Sequence, residues 1–176
     1  VGAQERRANE LEVELDAAAT AVIAQFQPKA RDLRTVLMVL GITDDLERLG
    51  DHTVNIAEAV RWLLANAPGQ GFSSVPRMAE AAVRMIDEAI TAFIAGDAAL
   101  ARRVCESDAA VDGLAEGILR ETEAAMAAEP ASSEAGLRVL KIAGNLERIA
   151  DLATNIGEDV VYMVDGRVIK HHWDAP

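Results

Sequence analysis

A chain of 176 residues is long enough for one large domain or two small ones, and 51% apolar residues can build a core, which excludes a disordered polymer. Aromatic residues make up only 3% while Ala, Leu, Val and Glu abound, so the composition favours an all-α fold over a β-sandwich or barrel. The 17 Lys and Arg against 29 Asp and Glu give a net charge of −12, which repels a nucleic-acid backbone, and the single Cys105 excludes an intrachain disulfide and fits a reducing, cytoplasmic compartment.

Proline and glycine divide the chain into five segments in which apolar residues recur at three- and four-residue spacing. The first predicted helix covers 3–26 and stops before Pro28. The second starts at Pro28, a good first-turn residue, and ends at 66–69. After the loop PGQGFSSVP, Ser74 is placed to cap a third helix with Pro76 in its first turn, ending at Gly96. Asp97 caps a fourth, which runs to about Glu129 before Pro130. Ser132 or Ser133 caps a fifth, which closes at Asp165 with Gly166 in a left-handed turn. The second and fifth helices, at ~1.5 Å per residue, are rods of roughly 50 Å, which implies bundles. The longest apolar run, near 36–40, is broken by Gly41 and Asp44 and falls far short of the ~20 residues that span a bilayer. The chain opens inside a charged helical pattern, GAQERRANELEVELD, without an initiator Met or a signal-like segment, so material is expected to precede it.

An internal repeat is the strongest signal. A shift of 100 positions lays LERLGDHTVNIAEAV at 46–60 on LERIADLATNIGEDV at 146–160 without a gap, with Leu, Glu, Arg, Asp, Asn, Ile, Glu and Val coinciding. The preceding helix of each half carries acidic or amide residues four apart, Glu5 and Asn9 in the first and Asp108 and Asp112 in the second.

On a helix, Asp51, Asn55 and Glu58 lie at about 40°, 80° and 20° from Glu47, so four oxygen-bearing side chains share one narrow stripe. Glu147, Asp151, Asn155 and Glu158 repeat it. Leu49, Ile56 and Val60, with Ile149, Ile156 and Val160, fall on the opposite, core-facing side. A polar stripe opposite an apolar one is also what any solvated helix presents. Like charges at i,i+4 destabilise a helix, however, and here the same residue types do so twice, a repulsion that a cation would relieve. Such a site offers hard oxygens and no Glu-x-x-His, favouring Mg, Mn, Ca or ferric iron over structural zinc. His52, whose equivalent is Leu152, is expected at the surface. His171 and His172 read as a polar tail, and Arg48 and Arg148 as surface ion-pair partners. Cys105 reads as a small hydrophobe. A nucleophile elbow, a glycine-rich phosphate loop and a His–nucleophile pattern are all missing, and outward-facing carboxylates lack the cleft that catalysis needs, so the chain is not expected to be an enzyme.

These residues resemble the PhoU family of phosphate-signalling regulators. The resemblance rests on LERLGDHTVNIAE and LERIADLATNIGE, close to the family's repeated Glu/Asp-x-x-x-Asp pattern, on QPKARDLR at 27–34, and on the ending DVVYMVDGR at 159–167. It implies tandem three-helix bundles: residues 1–69 as a first bundle of two helices lacking its N-terminal helix, 75–165 as a complete second bundle, and 166–176 as a tail. It also implies multinuclear metal clusters of iron, zinc or manganese at Glu47 and Asp51 and at Glu147 and Asp151, the latter pair joined by Asp108 and Asp112; Glu5 and Asn9 fit the first cluster less well. The implied function is a cytoplasmic adaptor, recruited to the inner membrane by its partners. It couples a phosphate ABC transporter, through the nucleotide-binding subunit, to a sensor histidine kinase and represses the phosphate-starvation response. The alternatives are a metal-storage or metal-sensing bundle and a hydrolase using the carboxylates. A two-helix first bundle leaves an apolar groove, so the chain is expected to self-associate, as a homodimer, or to be incompletely ordered.

Overall fold

The computed structural model describes residues 2–67 and 74–169, and only the backbone of 2–6, 8 and 9. Among these the fold is all-α: α1 Gly2–Phe26, α2 Arg31–Asn66, α3 Ser74–Ala95, α4 Ala98–Ala128, a 3-10 turn Pro130–Ser132, and α5 Ser133–Asp165. Helices α3, α4 and α5 pack on one another, α2 lies along α5, and α1 rests chiefly on α2.

Side-chain pairings fix the directions. Arg34 reaches Met163, His52 reaches Asn145, and the Arg138 guanidinium stacks over Trp62 at 5.1 Å, so α2 and α5 run antiparallel along their length. Cys105 against Thr154 and Met126 against Gly136 set α4 antiparallel to α5 in the same way. Helix α5 is the central rod. Its wide buried face includes Val139, Ile142, Leu146, Ile149, Leu152, Ile156 and Val160, because it meets α2 as well as α3 and α4. Met78, Met85, Val104, Val111 and Ile118 complete the core, each such side chain contributing about 1.5–3 kcal/mol by leaving water. Gly157 lets α4 approach closely, since a Cβ there would stand 3.0 Å from the Ala101 carbonyl oxygen and from Cys105 Sγ.

The helix boundaries depart from expectation at three places. Helix α2 begins at Arg31, because Gln27 (φ 47°) and Ala30 (φ 50°) adopt left-handed backbone on either side of Pro28 and reverse the chain. Ser74 is the first residue of α3, and its hydroxyl donates to Glu121 on α4 at 2.8 Å. Ser132 sits at the N-cap of α5 in helical conformation with no side-chain cap; its hydroxyl donates back to the Ala125 and Glu129 carbonyls, where the 3-10 turn follows Pro130. The other punctuation holds. Asp97 Oδ1 accepts from the Ala99 and Leu100 amides at 2.9 Å, and Gly166 closes α5 at φ 70°.

The two halves are unequally covered. Ile149, Ile156 and Val160 are buried as expected, Leu49 and Ile56 are partly buried, and Val60 is exposed; among the described residues α2 packs chiefly on α5 and α1. Helix α1 leaves Leu11, Val13, Leu15 and Val22 exposed and buries Ala19. An apolar stripe of α1 that includes Leu11, Leu15 and Val22 is thus uncovered.

Candidate functional site

Both carboxylate stripes stand on the long helices, largely on the solvent side. On α2, Asp51 and Glu58 are exposed and Glu47 and Asn55 half-buried, with Asn55 Nδ2 donating to the Asp51 carbonyl at 3.1 Å. On α5, Glu147 and Asp151 are exposed and Asn155 and Glu158 half-buried.

Their surroundings differ. In the second half α4 lies beside the stripe and brings Asp108 and Asp112 to it. Burial raises the Asp108 carboxyl above its ordinary value, and the charges of Asp112, Asp151 and Glu147 raise it further, while the Thr154 hydroxyl pulls the other way. Asp151 is also raised, first by burial and then by Asp112, against the lowering effect of Arg148. Four carboxylates from two helices thus act on one another. Asp108 Oδ1 and Thr154 Oγ1 are both shut off from water, and their mutual contact, too loose to be a well-formed hydrogen bond, eases the Asp108 carboxylate. Next to them Asp112, Ala115, Glu116 and Leu119 of α4 and Leu140, Ala143, Gly144 and Glu147 of α5 line an open groove of about 440 Å³.

The donor chemistry of this corner, hard oxygens under mutual repulsion, fits a hard cation. Among the described residues, however, no three His, Cys, Asp or Glu side chains converge as a coordination sphere requires, so side chains would have to turn to hold one. In the first half Val54 stands where Thr154 stands in the second, and the side chains of Glu5 and Asn9 lie outside the described residues.

One neighbour of the stripes takes another role than expected, while Arg48 is an ion-pair partner as expected. His52 is half-buried between the long helices, its Nδ1 2.9 Å from Asn145 Oδ1, because α5 packs over that face of α2. Arg48 pairs at 3.2 Å with Asp45, a buried residue off the stripe, rather than with the stripe carboxylates. His171 and His172 lie outside the described residues. Cys105 is half-buried as a hydrophobe would be; burial first, then Glu158, pushes its thiol up to about 11. Sequence reasoning passed over Thr154 and Asn145. Thr154 had a signal, since a residue three after Asp151 stands beside it one turn on. Asn145 had none, because only the packing of α2 gives it a partner.

Comparison with known proteins adds to this geometry. The family model described as PhoU domain matches residues 1–60 and 75–160. The chain is 34% identical over 161 residues to a protein of Aquifex aeolicus named phosphate-specific transport system accessory protein PhoU homolog, covering 92% of this chain and 73% of that one. It is 32% identical over 164 residues to the Pseudomonas aeruginosa protein of the same name, covering 93% and 68%. The crystal structure of PhoU from Pseudomonas aeruginosa superposes with a TM-score of 0.87 at 32% identity, over 93% of this chain and 78% of that one. That of the phosphate transport system regulatory protein PhoU from Streptococcus pneumoniae gives 0.86 at 27%, over 95% and 78%.

Proposed function

The chain belongs to the PhoU family, and from that premise we propose that it acts as the accessory protein of a phosphate-specific transport system by binding rather than by catalysis. In this reading it couples a phosphate ABC transporter, through the nucleotide-binding subunit, to a sensor histidine kinase, and it holds the phosphate-starvation response off when phosphate is plentiful. The observation that carries the reading is the placement of the repeated segment's polar stripe: Asp51 and Glu58 on α2 and Glu147 and Asp151 on α5 reach solvent and offer a surface on each long helix. Among the described residues no helix is long and apolar enough to cross a membrane, so membrane association would come from docking.

A cation belongs to the same reading. Asp108, Asp112, Glu147 and Asp151 would hold it in the second half, where it would cancel the repulsion among them and tie α4 to α5, a structural or regulatory role. The uncovered apolar face of α1 supports self-association as a homodimer. A metal-sensing or storage bundle unconnected with phosphate is a second reading, favoured by the crowding of Asp108, Asp112, Glu147 and Asp151 where α4 meets α5.

Co-purification from cells grown with and without phosphate tests the adaptor. Recovery of the transporter's nucleotide-binding subunit or the kinase is expected; recovery of neither under both conditions sinks it. Elemental analysis of the purified protein beside a folded Asp51→Ala, Asp151→Ala variant tests the cation. Metal retained with no transport partner under either condition would leave the second reading.

A further inference from the structure

Three chain connections meet at one end of the molecule. Arg34, near the start of α2, donates from Nε to the Met163 carbonyl at 3.4 Å, and its guanidinium lies against Gly166 beyond α5. Arg31 Nη2 reaches the α3–α4 turn, 3.6 Å from where a Cβ on Gly96 would stand. Arg102, early in α4, pairs with Asp165 at the end of α5 at 2.8 Å. The α1–α2 connection, the α3–α4 turn and the end of α5 therefore form one face.

That face is cationic although the chain carries −12. Lys29, Arg31 and Arg167 are exposed at these connections, beside Arg34 and Arg102, and Arg103 is exposed next to Arg102 on the first turns of α4. The carboxylates nearest to these cations in the chain are Asp32, Asp97, Glu106 and Asp165, four against six cations, and of them Asp97 caps α4 and Asp165 pairs with Arg102. The same face also carries large apolar side chains in water: Ile94 is 79% exposed, Phe26 73% and Val168 58%, each at or just beyond a helix end. These tips pack on nothing in the bundle's core. Cations surrounding isolated apolar tips are what the surface of an anionic bilayer accommodates, headgroups meeting Lys and Arg while Phe, Ile and Val enter the boundary below them. An acidic protein face would satisfy the cations but leaves the protruding tips unexplained.

We infer that this end of the bundle is a docking surface for an anionic lipid bilayer, engaged end-on with no helix crossing it. The net negative charge does not prevent this. The stripe members nearest this end are Glu47, 16 residues along α2 from Arg31, and Glu158, 7 residues along α5 from Asp165, about 24 Å and about 10 Å at helical rise. Charges beyond a Debye length of about 8 Å are largely screened at physiological salt. The stripes therefore scarcely oppose docking.

The test is co-sedimentation of the full chain with vesicles of phosphatidylcholine alone or mixed with phosphatidylglycerol, and it is independent of the transport and metal readings. Binding to the mixed vesicles only, weakening as salt rises, is expected. The variant Arg31→Glu, Arg103→Glu, Arg167→Glu spares Arg34 and Arg102, which hold the fold; with each cation near such a surface contributing about fivefold, partitioning falls by roughly a hundredfold or more. Phe26→Ser with Ile94→Ser lowers it several-fold at unchanged charge. Helicity by circular dichroism must match wild type in both. No binding to anionic vesicles, equal binding to neutral ones, undiminished binding of the charge-reversed protein, or release by inorganic phosphate beyond its ionic-strength effect would each overturn the inference.

Discussion

His52 Nδ1 and Asn145 Oδ1 lie 2.9 Å apart and join the two long helices. The amide of Asn145 is oriented by its own donation from Nδ2 to the Lys141 carbonyl at 2.7 Å, so Oδ1 faces α2 and His52 Nδ1–H donates to it. A half-buried hydrogen bond of this kind contributes about 0.5–1.5 kcal/mol. His52→Ala and Asn145→Ala are each expected to lower stability by about 1 kcal/mol in urea denaturation, with the double variant less destabilised than the sum. Additive losses would show that the pair does not couple α2 to α5.

Two glycine substitutions on the helices of one bundle are expected to have opposite signs. Gly157→Ala sets a methyl 3.0 Å from the Ala101 carbonyl, so α4 and α5 must part, costing about 1–3 kcal/mol against the ~1 kcal/mol that Ala gains in a helix. Gly113→Ala on α4 meets nothing within 4 Å and should stabilise by about 0.5–1 kcal/mol. Thermal unfolding of the two variants reads both.

Cys105 should behave as an inert thiol. With its pKa pushed up to about 11 by burial and by Glu158, its thiolate is scarce at mildly alkaline pH. Alkylation of the folded protein near pH 8 is expected to run roughly a hundredfold slower than that of an ordinary cysteine, and to accelerate on unfolding in urea. A fast reaction in the native state would contradict the packing of α4 on α5 at this point.

Asp108 makes stability fall as pH rises. Between the ordinary carboxyl value of 3.8 and its raised value in the folded protein, the native state binds the proton more readily than the unfolded chain. The stability from this group is thus greatest in acid, is lost as pH climbs through that interval, and stays lost at neutrality. In metal-free protein, Asp108→Asn removes the penalty. The variant should be more stable than wild type at pH 7 by a few tenths of a kcal/mol, the scale of a like-charge contact, with the advantage vanishing below 3.8.

The halves should differ toward a cation. Titration of metal-free protein with manganese, followed by calorimetry, is expected to lose its tighter phase in Asp108→Asn and to keep it in Asp51→Asn, because α4 carboxylates join the stripe only in the second half. Equal losses would mean that α1 supplies an equivalent set to Asp51.

The amino-acid sequence by itself determined the helical class, the extent of the long rods, the Asp97 and Gly166 caps and the repeat that puts Glu47, Asp51, Glu147 and Asp151 on outer stripes. Each follows from neighbours within a turn or two of one helix, where spacing alone fixes which residues share a face. The tertiary structure decided the rest. Docking of α2 along α5 turned His52 from a surface residue into an interhelical partner. Packing of α4 at Gly157 buried Asp108 Oδ1 beside Thr154, and the meeting of three connections gathered Arg31, Arg34 and Arg102 at one end. Those residues are brought together from distant parts of the chain by helix-on-helix packing, which local periodicity does not encode.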